Sequence, residues 1–359
     1  MIHQTKFCNT IGDFMYKLSI IIPTYNEEKH IKKTIESLMN QTIGFENIEI
    51  IVVDNSSTDS TKEILTEFSQ SYTNIKCFFP EGNTGTPSRG RNIGIDKATS
   101  EYIMFLDADD KYLDNCCEIM FDTIHDTKYN IAMCKHRIIE NEKFTILTEE
   151  DIQDISYSIV NPLENMDVFY DITIWNKIYR RDFLKKYDIK CPVGYFVEDV
   201  YFCMQCYLNT NEIMCLNNYY GYEYNVRDTE GNMSMCHDVN ANWFLKSYKT
   251  YYGIYNFFKK ANKLELFTVL MKKEFVNIIG WFVRMNEDKD FKMEMMEEIY
   301  KMSEHFDFNE NLDEIWADFI FKNIRKRNFR IALMSSELIN KLLNSEFIVK
   351  AYRKTYDKD

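Results

Sequence analysis

Three carboxylates, Asp107, Asp109 and Asp110, follow an apolar run in the string EYIMFLDADDKY. Like charges this close raise one another's pKa unless a positive group lies between them. Side chains two residues apart at a strand end point the same way, so Asp107 and Asp109 can approach one hard cation. The segment is either a solvated acidic loop or a site for Mn²⁺ or Mg²⁺, and its place after a buried strand favours the metal.

Residues 17–110 contain the elements that must position these acids. Buried strands are predicted in KLSIIIPTY, IEIIVVDNSSTD, IKCFF and EYIMFLDADD, and they alternate with helices in EEKHIKKTIESLMNQ, TKEILTEFSQ and GNTGTPSRGRNIGIDKA. Strands that are buried on both faces and alternate with helices predict an α/β fold with a mostly parallel central sheet. Ligands of such sheets bind beyond the carboxyl ends of the strands.

Further polar residues follow the first two strands. Tyr25 and Asn26 come after strand one, and Asp54 comes after strand two. We therefore expect these residues to converge with Asp107 and Asp109 on one edge of the sheet. Asp54 can either cap the following helix, the commoner role, or accept a hydrogen bond from a nucleobase imide.

Two other charged clusters are candidates for the same site. Arg89 and Arg91 lie in GNTGTPSRGRNIGI, which is neither a Walker sequence nor a GxGxxG motif, and they could balance the acids or contact a diphosphate. Glu198 and Asp199, in FVEDVYF, directly precede a predicted helix. A helix N-terminus favours the ionised carboxylate that a general base needs, although simple capping is the commoner role for acids there.

The rest of the chain divides into a mixed part and a helical part. A helix at DNCCEIMFDTIH, strands at NIAMCKHRII and IMCLNNYYGYEYNV, and a helix at VYFCMQCYLN are predicted before residue 235. We predict a lead-in over residues 1–16, a catalytic domain over 17–235 with halves at about 17–110 and 111–235, and a helical domain over 236–359.

Composition narrows the class of protein. The 359 residues are 45% hydrophobic with 5 Pro and 11 Gly, which is typical of a folded chain. The net charge of −13 argues against nucleic acid as a partner. We find no apolar run of about 18 residues and no signal-peptide pattern at the start. The 10 cysteines form no regular framework, so we expect reduced thiols in a cytoplasmic protein.

The ordered strings LSIIIPTYNEE, IIVVDNSSTDST, NTGTPSRGRNIGI and YIMFLDADD, followed by WNKIYRRDFL and FVEDVYF, resemble the family 2 glycosyltransferases. The resemblance covers about residues 17–230. It implies the A-type glycosyltransferase fold, which is Rossmann-like, and a metal-dependent, inverting transfer of a hexosyl or N-acetylhexosaminyl group from a UDP-sugar.

The resemblance also implies residue roles. Asp107 and Asp109 form the DxD-type motif, with Asp109 the expected direct metal ligand, and Asp199 is the expected base with Glu198 beside it. Trp175, Asn176 and Lys177 are expected to border the sugar and acceptor site. The donor-binding positions that the matched strings imply are Pro23, Tyr25, Asn26, Glu27, Asp54, Arg91, Asn92, Asp107, Ala108, Asp109, Lys177 and Arg227.

The sequence departs from the family pattern near YNVRDTEGNMS. Many relatives carry a metal-binding histidine there, whereas this chain has Arg227, with His237 ten residues later. A third metal ligand from the protein is therefore in doubt, and Arg227 is a candidate contact of the diphosphate.

Other functions stay open at this point. DADD superficially resembles the loop of the haloacid-dehalogenase phosphatases, but there the first Asp follows the first strand and here it follows the fourth. A nucleotidyltransferase would show a basic glycine-rich loop after strand one, and PTYNEEKH is not one. A non-catalytic nucleotide- or glycan-binding module would not need both acidic pairs.

The resemblance suggests partners for the catalysed transfer. The acceptor is expected to be a glycan or lipid-linked glycan of a cell-surface polysaccharide such as a capsule. Residues 321–330, FKNIRKRNFR, hold five basic side chains and no acid. Such a run is usually a solvated helix face, and its alternative use is peripheral contact with the inner face of an anionic membrane. The helical region could also form a homo-oligomer.

Overall fold

The computed structural model describes residues 16–140, 155–226, 241–285 and 288–343. The described chain forms two compact units. The first unit takes in residues up to 194 and from 198 to 226, and the second takes in 195–197 and the residues from 241 onward. The predicted lead-in lies outside the described residues except for Tyr16.

The first part of the chain forms four parallel strands in the order β3-β2-β1-β4. These are β1 (Leu18–Thr24), β2 (Ile48–Asp54), β3 (Ile75–Phe78) and β4 (Tyr102–Phe105). Thr24 is in register with Asp54, and Ile21 is in register with Phe105. The loops that follow β1, β2 and β4 therefore leave the sheet at one edge, as the sequence predicts.

Three helices connect these strands. They are α1 (Ile31–Met39), α2 (Thr61–Ser71) and α3 (Ser88–Lys97). Helix α3 packs very closely on the sheet, since a Cβ atom on Gly94 would lie 2.2 Å from Cγ2 of Ile21. Glycine at this position lets the helix that carries Arg91 approach β1.

The middle of the chain extends the same sheet. Its strands are β5 (Lys111–Tyr112), β6 (Ile131–Glu140), β7 (Tyr157–Val160), β8 (Lys177–Arg180) and β9 (Ile213–Val226), and its helices are α4 (Cys116–Ile124), α5 (Met166–Phe169), α6 (Arg181–Lys186) and α7 (Glu198–Leu208). These elements confirm the helices and strands predicted for this part.

The sheet is mixed rather than mostly parallel. Beyond β4 the order continues β8-β6-β9-β5, and β7 pairs with β9. The pairs β4–β8, β6–β8, β5–β9 and β7–β9 are antiparallel, whereas β6 and β9 run parallel. The expectation of a mostly parallel sheet therefore holds for the first four strands and is wrong for the added ones, whose sequences carry no signal of direction.

The second unit is helical, as the sequence predicts. Its helices are α8 (Ala241–Lys260), α9 (Leu264–Arg284), α10 (Lys289–His305), α11 (Ile315–Arg325) and α12 (Phe329–Leu343). Aromatic rings fill its core, where the ring of Phe275 lies 4.9 Å from that of Phe308 and 4.6 Å from that of Phe321. In the described part of the chain, no helix has both the length and the apolar character needed to cross a membrane.

The basic run 321–330 spans the end of α11 and the start of α12. Lys322 pairs with Asp318 at 2.6 Å, and Arg327 pairs with Glu297 at 2.8 Å. Part of this positive charge is therefore balanced inside the helical unit. Membrane contact through the run stays a prediction from the sequence.

A buried carboxylate links β1, β2 and β3 near the amino ends of these parallel strands. Glu49 of β2 is fully buried and accepts hydrogen bonds from the Ser19 hydroxyl and the Thr99 amide, and it pairs with Lys76. Burial raises the pKa of Glu49, but the Lys76 ammonium and these donors outweigh it and hold the pKa below the usual value. The network links β1, β2, β3 and the end of α3.

We expect Glu49→Gln to lower the free energy of unfolding by about 2 kcal/mol at neutral pH, because charge-assisted hydrogen bonds are lost in a buried site. A lowered pKa stabilises the fold above the ordinary value of 4.5, and that contribution is lost as the pH falls through the lowered pKa. Urea unfolding should therefore show a difference from wild type that shrinks in acid. Glu63→Gln, an exposed change on α2, is the control and should be neutral at both pH values.

Candidate active site

The loops after β1 and β2 are joined at the carboxyl edge of the sheet. Asn26 has a left-handed backbone with φ of 55°. Its amide N–H donates to the Ser57 hydroxyl at 2.8 Å, and its side-chain oxygen accepts from the Thr58 N–H at 2.8 Å. Beside it, Tyr25 is 42% exposed. The loop after β1 therefore presents an exposed aromatic ring from a fixed backbone.

Asp54 stabilises its own loop rather than the next helix. Its carboxylate accepts hydrogen bonds from the amide and the hydroxyl of Ser57. The amide of Thr61, the first residue of α2, instead donates to Asp59 at 3.0 Å. Of the two roles predicted for Asp54, helix capping is therefore wrong, and reading of a nucleobase stays a prediction.

The three acids after β4 have different surroundings. Asp110 is buried, accepts from the Tyr222 hydroxyl at 2.5 Å and accepts from the Asn225 amide at 2.8 Å. Burial, and then the charges of Asp109 and Asp107, raise the pKa of Asp110 well above its usual value. Asp110 therefore holds β9 against the loop, whereas Asp107 and Asp109 keep part of their surface in solvent.

Arg91 is the cation at the centre of the site. Its guanidinium, whose side chain is 3% exposed, lies 3.0 Å from the Asp107 carboxylate and 3.1 Å from that of Glu198, and it also bonds Asp199. Helix α3 thus brings one buried charge against acids from β4 and α7. The sequence placed these residues in one site, and the structure shows that Arg91 bridges them.

Glu198 and Asp199 begin α7 and share this cation. Burial, reinforced by the neighbouring Asp199 charge and opposed by Arg91, raises the pKa of Glu198 to about 7. Burial also raises the pKa of Asp199, and the Arg91 guanidinium opposes this rise. Raised carboxyl pKa values make each group a stronger base once it is ionised, which suits proton removal near neutral pH.

Lys177 differs from its expected role at the sugar and acceptor site. Its side chain is fully buried, and the ammonium donates to the Asp171 carboxylate at 2.8 Å, to Asn176 at 2.8 Å and to the Thr173 carbonyl at 2.6 Å. Burial favours the neutral amine, but the Asp171 charge outweighs it and raises the pKa of Lys177. The three protons of the ammonium are engaged by protein oxygens, so Lys177 stabilises the turn before β8.

Trp175 lies next to the acidic loop. Its ring stacks on that of Tyr222 with centroids 4.0 Å apart, and His136 approaches its edge at 4.9 Å. The Tyr222 hydroxyl accepts from the Asp107 amide at 3.4 Å while it donates to Asp110. This stack therefore joins the aromatic strand β9 to the acids.

The remaining predicted positions have mainly structural contacts. The Asn92 side chain donates to the Cys191 carbonyl at 2.8 Å and accepts from the Cys191 amide at 2.9 Å. Pro23 lies within β1, the Glu27 amide donates to the Thr61 hydroxyl at 2.8 Å, and the Ala108 carbonyl accepts from Thr34 at 2.8 Å. Arg227 and His237 lie outside the described residues.

A cavity of about 220 Å³ opens beside Asp109. It lies between α1 and the loop after β4, and its lining includes His30, Lys33, Lys111 and Asn225. No group of three or more His, Cys, Asp or Glu side chains in the described ranges is arranged to hold a metal ion. Asp107 and Asp109 therefore supply oxygen ligands of the right kind, but not a complete set.

Three residues that support the site were not predicted from the sequence. Tyr222 and Asn225 hold Asp110, and Asp171 neutralises Lys177. The aromatic string YYGYEYNV predicted a strand, but its pairing with β5 and β6 depends on contacts distant in sequence. Asp171, five residues before Asn176, carried no local signal.

Comparison with known proteins shows which proteins the chain is similar to. Residues 19–188 match the profile of glycosyl transferase family 2. TarS, a poly(ribitol-phosphate) beta-N-acetylglucosaminyltransferase of Staphylococcus aureus strain MW2, is 30% identical over 218 residues, which are 60% of this chain and 37% of TarS. A poly(ribitol-phosphate) beta-glucosyltransferase of Bacillus spizizenii is 29% identical over 263 residues, 72% of this chain and 40% of that protein. The chain thus spans well under half the length of these curated relatives.

The same fold occurs in a solved structure. The crystal structure of S. aureus TarS 1-349 in complex with UDP-GlcNAc superposes with a TM-score of 0.69 at 22% identity, and the match covers 90% of this chain and 91% of that one. This likeness confirms the A-type glycosyltransferase fold with a helical C-terminal region.

We expect Arg91→Gln to destabilise the first unit by about 3 kcal/mol or more, because three carboxylates then lose a buried cation. The matched control is Arg89→Gln, two residues earlier on α3, since Arg89 is only half-buried and donates to the Glu81 carbonyl and Asn55. Urea unfolding followed by far-UV circular dichroism measures both. Equal, small losses in the two variants would contradict a central role for Arg91.

Proposed function

Because residues 19–188 form a glycosyl transferase family 2 domain, we propose that the chain transfers a sugar from a UDP-sugar to a hydroxyl of a glycan acceptor, with inversion at the anomeric carbon. The observation that carries the proposal is the convergence of Asp107, Glu198 and Asp199 on Arg91 at the carboxyl edge of the sheet. A transferase of this kind needs a base for the acceptor and charge compensation for the leaving diphosphate.

The donor side of the proposal rests on the loops after β1 and β2. Tyr25 offers an exposed ring for the nucleoside, and the Asp54 carboxylate is oriented by Ser57. In the proposed complex Asp54 accepts the imide N–H of uracil. The TarS structure with UDP-GlcNAc supports a uridine donor, and the sugar is proposed to be a hexose or an N-acetylhexosamine.

A divalent cation, Mn²⁺ or Mg²⁺, is proposed to bind at Asp107 and Asp109. The fit of these residues is chemical, since both are carboxylates with exposed surface on one loop, and hard cations take oxygen ligands. When bound, the ion would neutralise charge on the departing diphosphate. The remaining ligand positions would be left to phosphate oxygens and water.

Asp199 is proposed to act as the general base. As the acceptor oxygen forms its bond to the anomeric carbon, the hydroxyl proton passes to the Asp199 carboxylate. The bond from that carbon to the diphosphate oxygen breaks, and its electron pair leaves with UDP. Arg91 holds the Asp199 carboxylate in place. Glu198 pairs with the same guanidinium, so its protonation state sets the net charge of the two acids.

The acceptor is proposed to be a cell-surface polymer of the polyol-phosphate class, such as a teichoic acid. The support is that the two relatives named above act on poly(ribitol-phosphate). The family match also argues against the haloacid-dehalogenase alternative. The other alternative, a non-catalytic nucleotide- or glycan-binding module, is tested by the binding and transfer experiments below.

We expect tight, Mn²⁺-dependent binding of UDP, with GDP and CDP much weaker, in calorimetric titrations of the purified chain. Asp109→Asn should weaken UDP binding in Mn²⁺ at least tenfold, because one charged ligand is lost. Its control is Asp114→Asn, a nearby acid whose side chain is 55% exposed, which should leave binding unchanged.

Each other result of this titration has a definite meaning. Preference for another nucleotide would keep the family and reject Asp54 as a uracil reader. Binding of UDP without any effect of the metal would reject the cation site. Absence of nucleotide binding in a folded sample would favour a non-catalytic module.

We expect Asp199→Asn to slow transfer at least a hundredfold, since general bases contribute about 10²–10⁴ to rates, while UDP affinity stays within about twofold. The control is Asp182→Asn, which is also in the first turn of a helix but has a side chain 80% exposed. UDP release in the presence of UDP-GlcNAc and poly(ribitol phosphate) measures the rate. Near-normal turnover of Asp199→Asn would contradict the base assignment.

The wild-type rate should also depend on pH. Because the pKa of Asp199 and that of Glu198 are both raised, the ionised base is gained as the pH rises, so the rate should increase toward neutral pH and fall in acid.

A further inference from the structure

The loop between β4 and β5 carries both acids of the proposed cation site. Asp107 and Asp109 keep part of their surface in solvent, whereas Ala108 and Asp110 are buried. The Asp110 amide donates to the Asp107 carbonyl at 3.1 Å, which closes a turn. Such a turn does not by itself hold two like-charged carboxylates near each other, because their repulsion drives them apart. The loop therefore depends on contacts from neighbouring elements of the first unit.

Helix α1 holds one side of this loop. The hydroxyl of Thr34, a residue that is 3% exposed, lies 2.8 Å from the Ala108 carbonyl and 3.2 Å from the Asp110 carbonyl. One hydroxyl is thus shared by two carbonyl oxygens on either side of Asp109. These contacts fix the path of the backbone and leave the carboxylates of Asp107 and Asp109 to other partners.

Strand β9 holds the other side through Tyr222 and Asn225. Tyr222 is fully buried, and its hydroxyl donates to the Asp110 carboxylate at 2.5 Å and accepts from the Asp107 amide at 3.4 Å. The Asn225 amide donates to the other oxygen of the Asp110 carboxylate at 2.8 Å, and its side chain donates to the Asp109 carbonyl at 3.4 Å. The buried third acid is therefore the anchor of the loop.

The Tyr222 hydroxyl contacts both ends of the loop, since it bonds the side chain of the last acid and the backbone of the first. The Tyr222 ring stacks on Trp175 with centroids 4.0 Å apart, and it is perpendicular to the Tyr112 ring, whose centre is 5.4 Å away. Neighbours on two sides thus fix the ring and, with it, the hydroxyl. Groups that orient metal ligands in this way raise the affinity for the metal.

We propose that Tyr222, assisted by Thr34, is a positioning residue for the divalent cation, because its hydroxyl fixes the loop from which Asp107 and Asp109 bind one ion. The inference rests on the proposed cation site at these two acids. Without the hydroxyl, the loop would lose a contact at each end, and the two outer acids would separate under their mutual repulsion. The proposed nucleoside contacts lie on the loops after β1 and β2 and would be unaffected.

The test compares Tyr222→Phe with Tyr219→Phe in the purified chain. Tyr222→Phe removes the hydroxyl and keeps the ring against Trp175. Tyr219 is the matched control, since it is 1% exposed, lies on the same strand and donates its hydroxyl to the Asn115 side chain at 2.7 Å. Both variants lose a bonded, buried hydroxyl, so their urea unfolding midpoints should fall by similar amounts. A different response to metal then reports on the position of the hydroxyl rather than on stability.

Calorimetric titration with UDP, in EDTA and at a series of Mn²⁺ concentrations, measures the response. We expect Tyr222→Phe to raise the Mn²⁺ concentration needed for half-maximal enhancement of UDP binding about tenfold, because groups that orient metal ligands contribute roughly 10–100-fold to metal affinity. UDP affinity in EDTA should stay unchanged, and saturating Mn²⁺ should restore the wild-type affinity. Tyr219→Phe should match wild type under both conditions.

A second pair of variants serves if Tyr222→Phe does not fold. Thr34→Val removes the hydroxyl that holds the loop from α1 and keeps the shape of the side chain, whereas Thr34→Ser keeps the hydroxyl. We expect Thr34→Val to need more Mn²⁺ than Thr34→Ser, which should resemble wild type. Equal Mn²⁺ requirements in these two variants would contradict the positioning of the acids by the contacts of their loop.

The outcomes separate this inference from the proposed function. If UDP binding by wild type does not respond to Mn²⁺, the cation site is wrong and this inference is wrong with it. If wild type responds and Tyr222→Phe needs the same Mn²⁺ concentration, the positioning role alone is wrong. Equal weakening of UDP binding with and without Mn²⁺ would also overturn it. A chain that gives the expected titrations but transfers no sugar would contradict the proposed transfer and support the positioning role.

Discussion

The buried charge of Arg91 is the constraint on which the rest of the site depends. A guanidinium with 3% of its side chain exposed must be compensated, and it is, by Asp107, Glu198 and Asp199. Glu198 and Asp199 in turn need the cation, because burial raises the pKa of both carboxyl groups and so favours their protonated forms. The acids at the end of β4 and at the start of α7 are therefore held together by charge, although Asp107 and Glu198 lie 91 positions apart in the sequence.

The first half of the sheet could be predicted from the sequence because its signals are local. Continuous apolar runs marked β1, β2 and β4, and the polar residues after them had to share an edge once the strands were parallel. The later strands were less predictable, since the direction of β8 or β9 depends on pairing with distant segments. For the same reason the sequence did not predict the roles of Tyr222 and Asn225, which support Asp110 from a strand more than 110 positions away.

Residue type alone did not separate ligand contacts from supporting contacts. Lys177 has the charge expected of a diphosphate or sugar contact, yet its ammonium is enclosed by Asp171, Asn176 and Thr173. Asp54 shows the opposite difficulty, because its carboxylate bonds Ser57 of its own loop instead of capping α2. Deciding between such roles requires knowledge of which polar atoms are already bonded, and that depends on three-dimensional placement rather than on motif spacing.

The paired amide hydrogen bonds between Asn92 and Cys191 bear on where the chain can change in length. They fasten the helix that carries Arg91 to the segment that leads into α7, so the distance between the cation and its acids is fixed at both ends. Between these two anchors the chain also contributes Asp107 and the strands β4, β6 and β8, whose places are set by the sheet. Changes of length in the surface loops between those elements would leave the distance from Arg91 to Glu198 and Asp199 unaltered, so loop length and charge geometry can vary independently.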